Sequence, residues 1–167
     1  FIFGRDDDTP ASAIHSLLQS RGRRLATAES VTGGRIAAAL TSISGSSLSF
    51  LGGVVAYDNA VKIAELDVRA ETIARVGAVS EEVASEMARG VRKRLGADVS
   101  LATTGIAGPT GGSPEKPVGL VWFALNDSDG TALARDYQLN GEREAVVARA
   151  TTIALGMLWR HLEGHSS

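Results

Sequence analysis

Residues 25–40 read LATAESVTGGRIAAAL. The first five, LATAE, make a short strand-like run that ends in an acid, Glu29, followed by a serine, Ser30. Gly33 and Gly34 come next, and the alanine-rich GRIAAALTSI (34–43) has the composition of a helix. A strand that turns directly into a helix is the building unit of an α/β domain, so this stretch sets the class of fold to look for elsewhere. It also poses a question. A serine ahead of a helix is a natural N-cap, its oxygen accepting from the amides of the first turn. Here, however, glycine occupies the position where a capping box needs Glu or Gln. Two glycines also allow close approach to the backbone and leave helix-start amides available. That is the setting of a nucleophile elbow, although G-x-S-x-G itself is missing. Both readings of Ser30 stand at this level.

The alternation continues outward. Thr9-Pro10 starts a helix with a capping hydroxyl and a proline at the first helical position, and Ile14, Leu17 and Leu18 form its apolar stripe. After the loop SGSSLS, FLGGVVAY (50–57) is a second strand, and NAVKIAEL a short helical piece. Ser80 with Glu81 and Glu82 opens another helix, on which Val83, Met87 and Val91 recur at helical spacing beside Ala84 and Ala88. DVSLATTG (98–105) is a third strand running into GIAGPTGGSPEKP. VGLVWFAL and TALARDYQL are two more strands, joined by the hairpin signal NDSDG. A last helix over about 142–162 carries Val146, Val147, Ala150, Ile153, Ala154, Met157 and Leu158 on one broad face. The pattern predicts a three-layer α/β/α sandwich with a mixed, mostly parallel sheet and one antiparallel hairpin. Ligands of such sheets collect at the carboxyl ends of the strands. LATAESVTGG and LATTGIAGPTGG both sit there and share strand, polar turn and glycines, as two walls of one pocket would.

Composition narrows the function. At 167 residues the chain is one domain with room for a full core. A net charge of −2 with scattered bases gives no electrostatic case for nucleic acid or an anionic membrane. The absence of cysteine excludes disulfides, a thiolate nucleophile and a Cys metal site. No apolar run approaches the roughly 20 residues of a membrane span and no signal peptide is visible, which points to the cytoplasm. The chain opens FIFGRDDDTP without methionine, so residues 1–8 read as a linker or tail, 9–162 as the domain and 163–167 as a second tail.

If Ser30 is a nucleophile it needs a base. The three histidines, His15, His161 and His165, lie in the first helix and at the far end of the chain, which argues against a Ser-His-Asp triad. No His/Asp/Glu cluster has metal spacing. Lysine remains. Lys93 lies in RKR on a helix, most simply a solvated face, and Lys116 lies in a loop between prolines, able to close over a ligand. Lys62, in AYDNAVK, follows the second strand near the same sheet edge as Ser30. To act near neutral pH it must lose roughly 3 pKa units, about 4 kcal/mol, through burial or a neighbouring cation. Tyr57 can bridge Lys62 and Ser30, or be an ordinary strand-end aromatic. The loop TGIAGPTGG (104–112) offers successive amides for an anion nest, or is a surface loop; it is neither a Walker loop nor a dinucleotide fingerprint. Arg35 and Arg143 each fall in the first turn of an expected helix, where the dipole disfavours a cation and an anionic ligand would offset it. The residues by themselves describe a pocket for a small anionic molecule.

Taken together, TAESVTGG, YDNAVK, GAVSEEVASEMARG, TGIAGPTGG followed by KPVGLVW, and NGER resemble, in order and spacing, the CinA C-terminal domain family. This is the domain of competence/damage-inducible protein A and of stand-alone nicotinamide mononucleotide amidohydrolases. The resemblance runs from about Thr9 to Leu162. It implies hydrolysis of the carboxamide of nicotinamide mononucleotide to nicotinic acid mononucleotide and ammonia. The serine nucleophile maps onto Ser30, with a tyrosine and a lysine mapping onto Tyr57 and Lys62. Thr32, Gly33, Gly34 and Arg35 of the first turn, Thr104, Gly105 and Gly108 of the second, and Arg143 of NGER would bind the substrate. No metal or organic cofactor is implied, homo-oligomers are usual, and a full-length protein would carry an N-terminal molybdopterin-binding-like domain. The family commonly writes A-E-S-C-T-G-G where this chain has Val31, which implies that this position packs and moves the weight to Ser30. A competing expectation is a catalytically silent nucleotide-binding domain in which Ser30 only caps its helix.

Overall fold

The computed structural model describes residues 8–164, so the expected tails at 1–8 and 163–167 lie outside the described residues apart from Asp8, Glu163 and Gly164. The elements are α1 (Pro10–Ser20), β1 (Leu25–Glu29), α2 (Arg35–Thr41), β2 (Phe50–Val55), α3 (Asn59–Leu66), α4 (Ala70–Val76), α5 (Glu81–Leu95), β3 (Val99–Gly105), β4 (Leu120–Asp127), β5 (Ala132–Gln138) and α6 (Arg143–Glu163). The five strands form one sheet in the order β2-β1-β3-β4-β5. β1 pairs parallel with β2 and β3, while β4 runs antiparallel to β3 and β5. Four strands therefore point one way and β4 alone is reversed, the mixed sheet with one late hairpin that the sequence predicts.

Strand alternation sorts the core into two unlike faces. Leu25 of β1, Val99 and Leu101 of β3, and Val121, Phe123 and Leu125 of β4 face α1, α2 and α6. Ala26, Ala28, Ala102 and Ala124 face the other way, toward α5. The alanine face brings α5 close to the sheet, and α5 is equally close to α3: a Cβ on Gly90 would overlap the Leu66 carbonyl oxygen. Thr9 and Ser80 cap α1 and α5 as their sequence contexts predict, and Asp58 caps α3. Helix α4 has no such local signal, because Arg69 at its N-cap makes no side-chain cap bond. Its cap comes from α5, where Glu86 accepts from the Arg69 amide (3.1 Å) and the Thr72 hydroxyl (2.8 Å).

The sheet edge opposite the strand carboxyl ends is locked by Asp127 at the end of β4. Its buried carboxylate accepts from Arg23 (2.5 Å) and the Asp129 amide (2.9 Å), and meets His161 Nε2 of α6 at 2.5 Å. Burial pushes this carboxyl upward, but the three hydrogen bonds outweigh that and bring it down to about 2. Its contribution to stability is present above the ordinary aspartate range and is lost as pH falls through about 2. β2 forms one lateral edge of the sheet, and Val55 on it is 48% exposed.

Candidate active site

A cavity of about 260 Å³ opens at the carboxyl ends of β1, β2 and β3. Ser30 and Val31 enter it from the turn after β1, and Tyr57, Asn59 and Lys62 from the segment after β2. Ala78 and Val79 enter from the loop between α4 and α5, Thr104 and Gly105 from the end of β3, and Gly108 from the turn that follows it. Arg143 closes the ring from the first turn of α6. The topology explains the gathering: β1 and β3 are neighbours, so the two glycine-rich turns lie side by side.

Ser30 is 8% exposed and is not the cap of α2. That N-cap is Gly34, in the left-handed region at φ 100° and without a side-chain cap bond. The capping work falls to Glu29. Its carboxylate, 1% exposed, accepts from the amides of Ile36 (2.8 Å) and Ala37 (3.0 Å) and from the Thr32 hydroxyl (2.7 Å). The backbone of Ser30 is fixed as well: its amide donates to the Thr103 carbonyl and its own carbonyl accepts from Gly33, both at 3.0 Å. The hydroxyl of Ser30 takes part in none of the hydrogen bonds found among the described residues.

Lys62 is 2% exposed and among the largest fully buried side chains of the domain. Its ammonium reaches only the Tyr57 carbonyl (3.4 Å) and Asn59 Oδ1 (3.5 Å), and it forms no salt bridge with a carboxylate among the described residues. Burial therefore lowers its pKa below that of an ordinary lysine, an effect that the nearby Asp58 charge offsets in part. Asn59 lies one helical turn before Lys62, an i, i+3 spacing that presents both side chains to the same space; that spacing is the signal from which it could have been read. Tyr57 is 61% exposed, and its hydroxyl accepts from Arg143 (2.7 Å) rather than joining Lys62. Arg143 also donates to the Gly108 carbonyl (2.9 Å), tying the second turn to the rim.

Four of the expected substrate-binding residues stand behind the turn and not on the cavity wall. Thr32 is buried, between Glu29 and the Thr103 hydroxyl at 2.8 Å. Gly33 and Gly34 supply the left-handed backbone of the turn. Arg35 pairs with Glu144 at 3.0 Å, which accounts for a cation at the start of α2. Val31 packs into the core cluster beneath α1, α2 and α6 while touching the cavity. Among the described residues, Asp127, Asp129 and His161 come close enough together to hold a metal ion, but they lie at the opposite edge of the sheet. There both carboxylate oxygens of Asp127 are engaged, one of them by the Arg23 guanidinium.

Residues 7–162 match the family described as the CinA C-terminal domain. The chain belongs to that family. It is 49% identical over 162 residues to a competence-damage inducible protein of Moorella thermoacetica and 50% identical over 165 residues to a CinA-like protein of Parasynechococcus marenigrum. These alignments cover 97% and 98% of the chain but only 39% of either relative, so the CinA domain described here spans about two fifths of their length. Among solved structures, the competence/damage inducible protein CihA of Agrobacterium tumefaciens superimposes with a TM-score of 0.90 at 40% identity, covering 98% of this chain and 99% of that one. A CinA superfamily protein of Klebsiella pneumoniae gives 0.88, also at 40%, covering 93% and 96%. No described helix of the CinA domain is long and apolar enough to cross a membrane.

Proposed function

We propose that this CinA domain hydrolyses the carboxamide of nicotinamide mononucleotide to nicotinic acid mononucleotide and ammonia. The observation that carries the reading is the meeting, in one cavity, of a serine released from capping and a buried lysine whose pKa is lowered. A neutral Lys62 can take the proton of the Ser30 hydroxyl as the oxygen attacks the carboxamide carbon. The tetrahedral adduct then collapses, the proton passes to the leaving nitrogen, and ammonia departs from an ester on Ser30. Water, deprotonated by the same amine, attacks that ester and returns the hydroxyl.

Oxyanion donors come from amides not already engaged. The N–H groups of Gly33 and Arg35 donate to the carbonyls of Ser30 and Thr32, which leaves Val31 and Thr32 as the donors nearest the nucleophile. Arg143 and the amides of the second turn supply the positive rim for the phosphate. The exposed ring of Tyr57 offers a face to the cationic pyridinium.

The test is ammonia release from nicotinamide mononucleotide by the wild-type chain and by Ser30→Ala. Ammonia from the wild type alone is the expected result. Binding of the nucleotide with no ammonia from either protein would sink the reading and leave a nucleotide-binding domain.

A further inference from the structure

We propose that Glu29 is a positioning residue for the Ser30 turn, acting through a hydroxyl relay to β3; its link to catalysis rests on the amide-hydrolysis reading above. Three features of the geometry lead there. First, the bonds of Glu29 go beyond those of a helix cap. Capping α2 requires only the Ile36 and Ala37 amides, one on each carboxylate oxygen. The third bond, from the Thr32 hydroxyl at 2.7 Å, reaches back into the turn itself.

Second, the direction of the relay is set. A hydroxyl has one proton, and Thr32 gives its own to a carboxylate that can only accept. The 2.8 Å contact between the Thr32 and Thr103 hydroxyls must then run from Thr103 to Thr32, so the chain of donors ends on Glu29. Thr103 belongs to β3 and stands immediately before Thr104 and Gly105, which line the cavity. The relay thus joins the nucleophile's turn to the opposing wall.

Third, Ser30 lies between the residues so tied. Glu29 precedes it, Thr32 is two residues later, and its amide is held by Thr103, the same residue that starts the relay. The buried carboxylate has no cationic partner among the described residues, an arrangement tolerated only when charge-assisted hydrogen bonds satisfy it fully. Moving the cap from Ser30 to Glu29 frees the serine hydroxyl while holding its backbone on two sides.

The test compares Glu29→Gln, Thr32→Val and Thr32→Ser with the wild type, by steady-state kinetics on nicotinamide mononucleotide and by thermal midpoint. A glutamine amide keeps one accepting oxygen but sets its N–H groups against at least one of the three donors that the carboxylate accepts from. With that mismatch kcat should fall about 100-fold with KM within about twofold. Thr32→Val keeps both helix amides capped and breaks only the relay, so kcat should fall about tenfold, and Thr32→Ser should restore most of it. A lower midpoint with wild-type kcat in both Glu29→Gln and Thr32→Val would overturn the proposal and leave Glu29 a simple cap. A wild type that releases no ammonia would overturn the amidase reading alone. Amide exchange at residues 30–34 then decides: faster in Thr32→Val than in Thr32→Ser supports the relay, and equal rates overturn it.

Discussion

The turns after β1 and β3 begin alike in sequence and are tied to the rest of the molecule differently. The first is short and is held mainly by its own residues and the helix it starts. Glu29 binds Thr32 and the Ile36 and Ala37 amides, and the Ser30 carbonyl accepts from Gly33. Further ties run to Thr103 of the neighbouring β3 and to the Ala56 amide after β2. The second runs from Ile106 to Gly119; backbone bonds close it between Ile106 and Gly119 and between Ser113 and Lys116, and two long cationic side chains tie it to helices. Arg143 of α6 holds the Gly108 carbonyl, and the Lys116 ammonium reaches across to the Val76 carbonyl at the end of α4. A side chain that must attack one atom needs the first kind of support. A wall that must admit a ligand and then enclose it can use the second. Under the proposed amide hydrolysis, the difference predicts kcat effects at the first turn and KM effects at the second.

That assignment can be broken, and the largest effect comes first. Ser30→Ala should reduce kcat by about 10⁴-fold or more, while calorimetry finds the affinity for nicotinamide mononucleotide within about twofold of wild type. An equal loss of affinity would mean that the first turn binds as much as it reacts. Lys62→Met should reduce kcat by about 10³-fold and abolish its pH dependence. In the wild type kcat should rise with pH as Lys62 loses its proton, and level off below the range of an ordinary lysine, because burial lowers this pKa. Stability should also rise with pH between the lowered and the ordinary value, since the unfolded chain binds the proton that the folded one has released.

The second turn should answer in KM. Arg143→Ala releases both Gly108 and Tyr57, and KM should increase about tenfold with kcat nearly unchanged, the scale of one lost charge-assisted contact. Lys116→Ala removes a tether at a helix C-terminus, and about a threefold rise in KM is expected. A kcat defect in either variant would show that the two turns are coupled rather than separate.

Much of this was legible in the sequence because its signals are local. Thr9-Pro10, Ser80 and the hairpin joint each act within a few residues, and the structure places helix and strand starts where they point. Helix α4 was not legible. Its cap, Glu86, stands 17 residues from Arg69. The first turn was half legible for the same reason. Proximity brought out Ser30, but the role of Glu29 depends on a carboxylate reaching seven and eight residues ahead into the next helix. Lys62 is placed in the sequence by its position after the second strand and Arg143 by its position in the first turn of the last helix. The meeting of Lys62 with Asn59 follows from their i, i+3 spacing on one helix, whereas that of Arg143 with Tyr57 depends on strand order, and no local pattern encodes it.

β2 has a consequence for handling the protein. From Arg35 to Asp58 no intervening residue carries a charge, and this stretch includes an edge strand with Val55 turned outward. Edge strands elsewhere carry lysine, proline or a covering segment that discourages pairing with a second chain. Purification and refolding yield should therefore fall as concentration rises, through strands adding at this edge rather than through unfolding of the core.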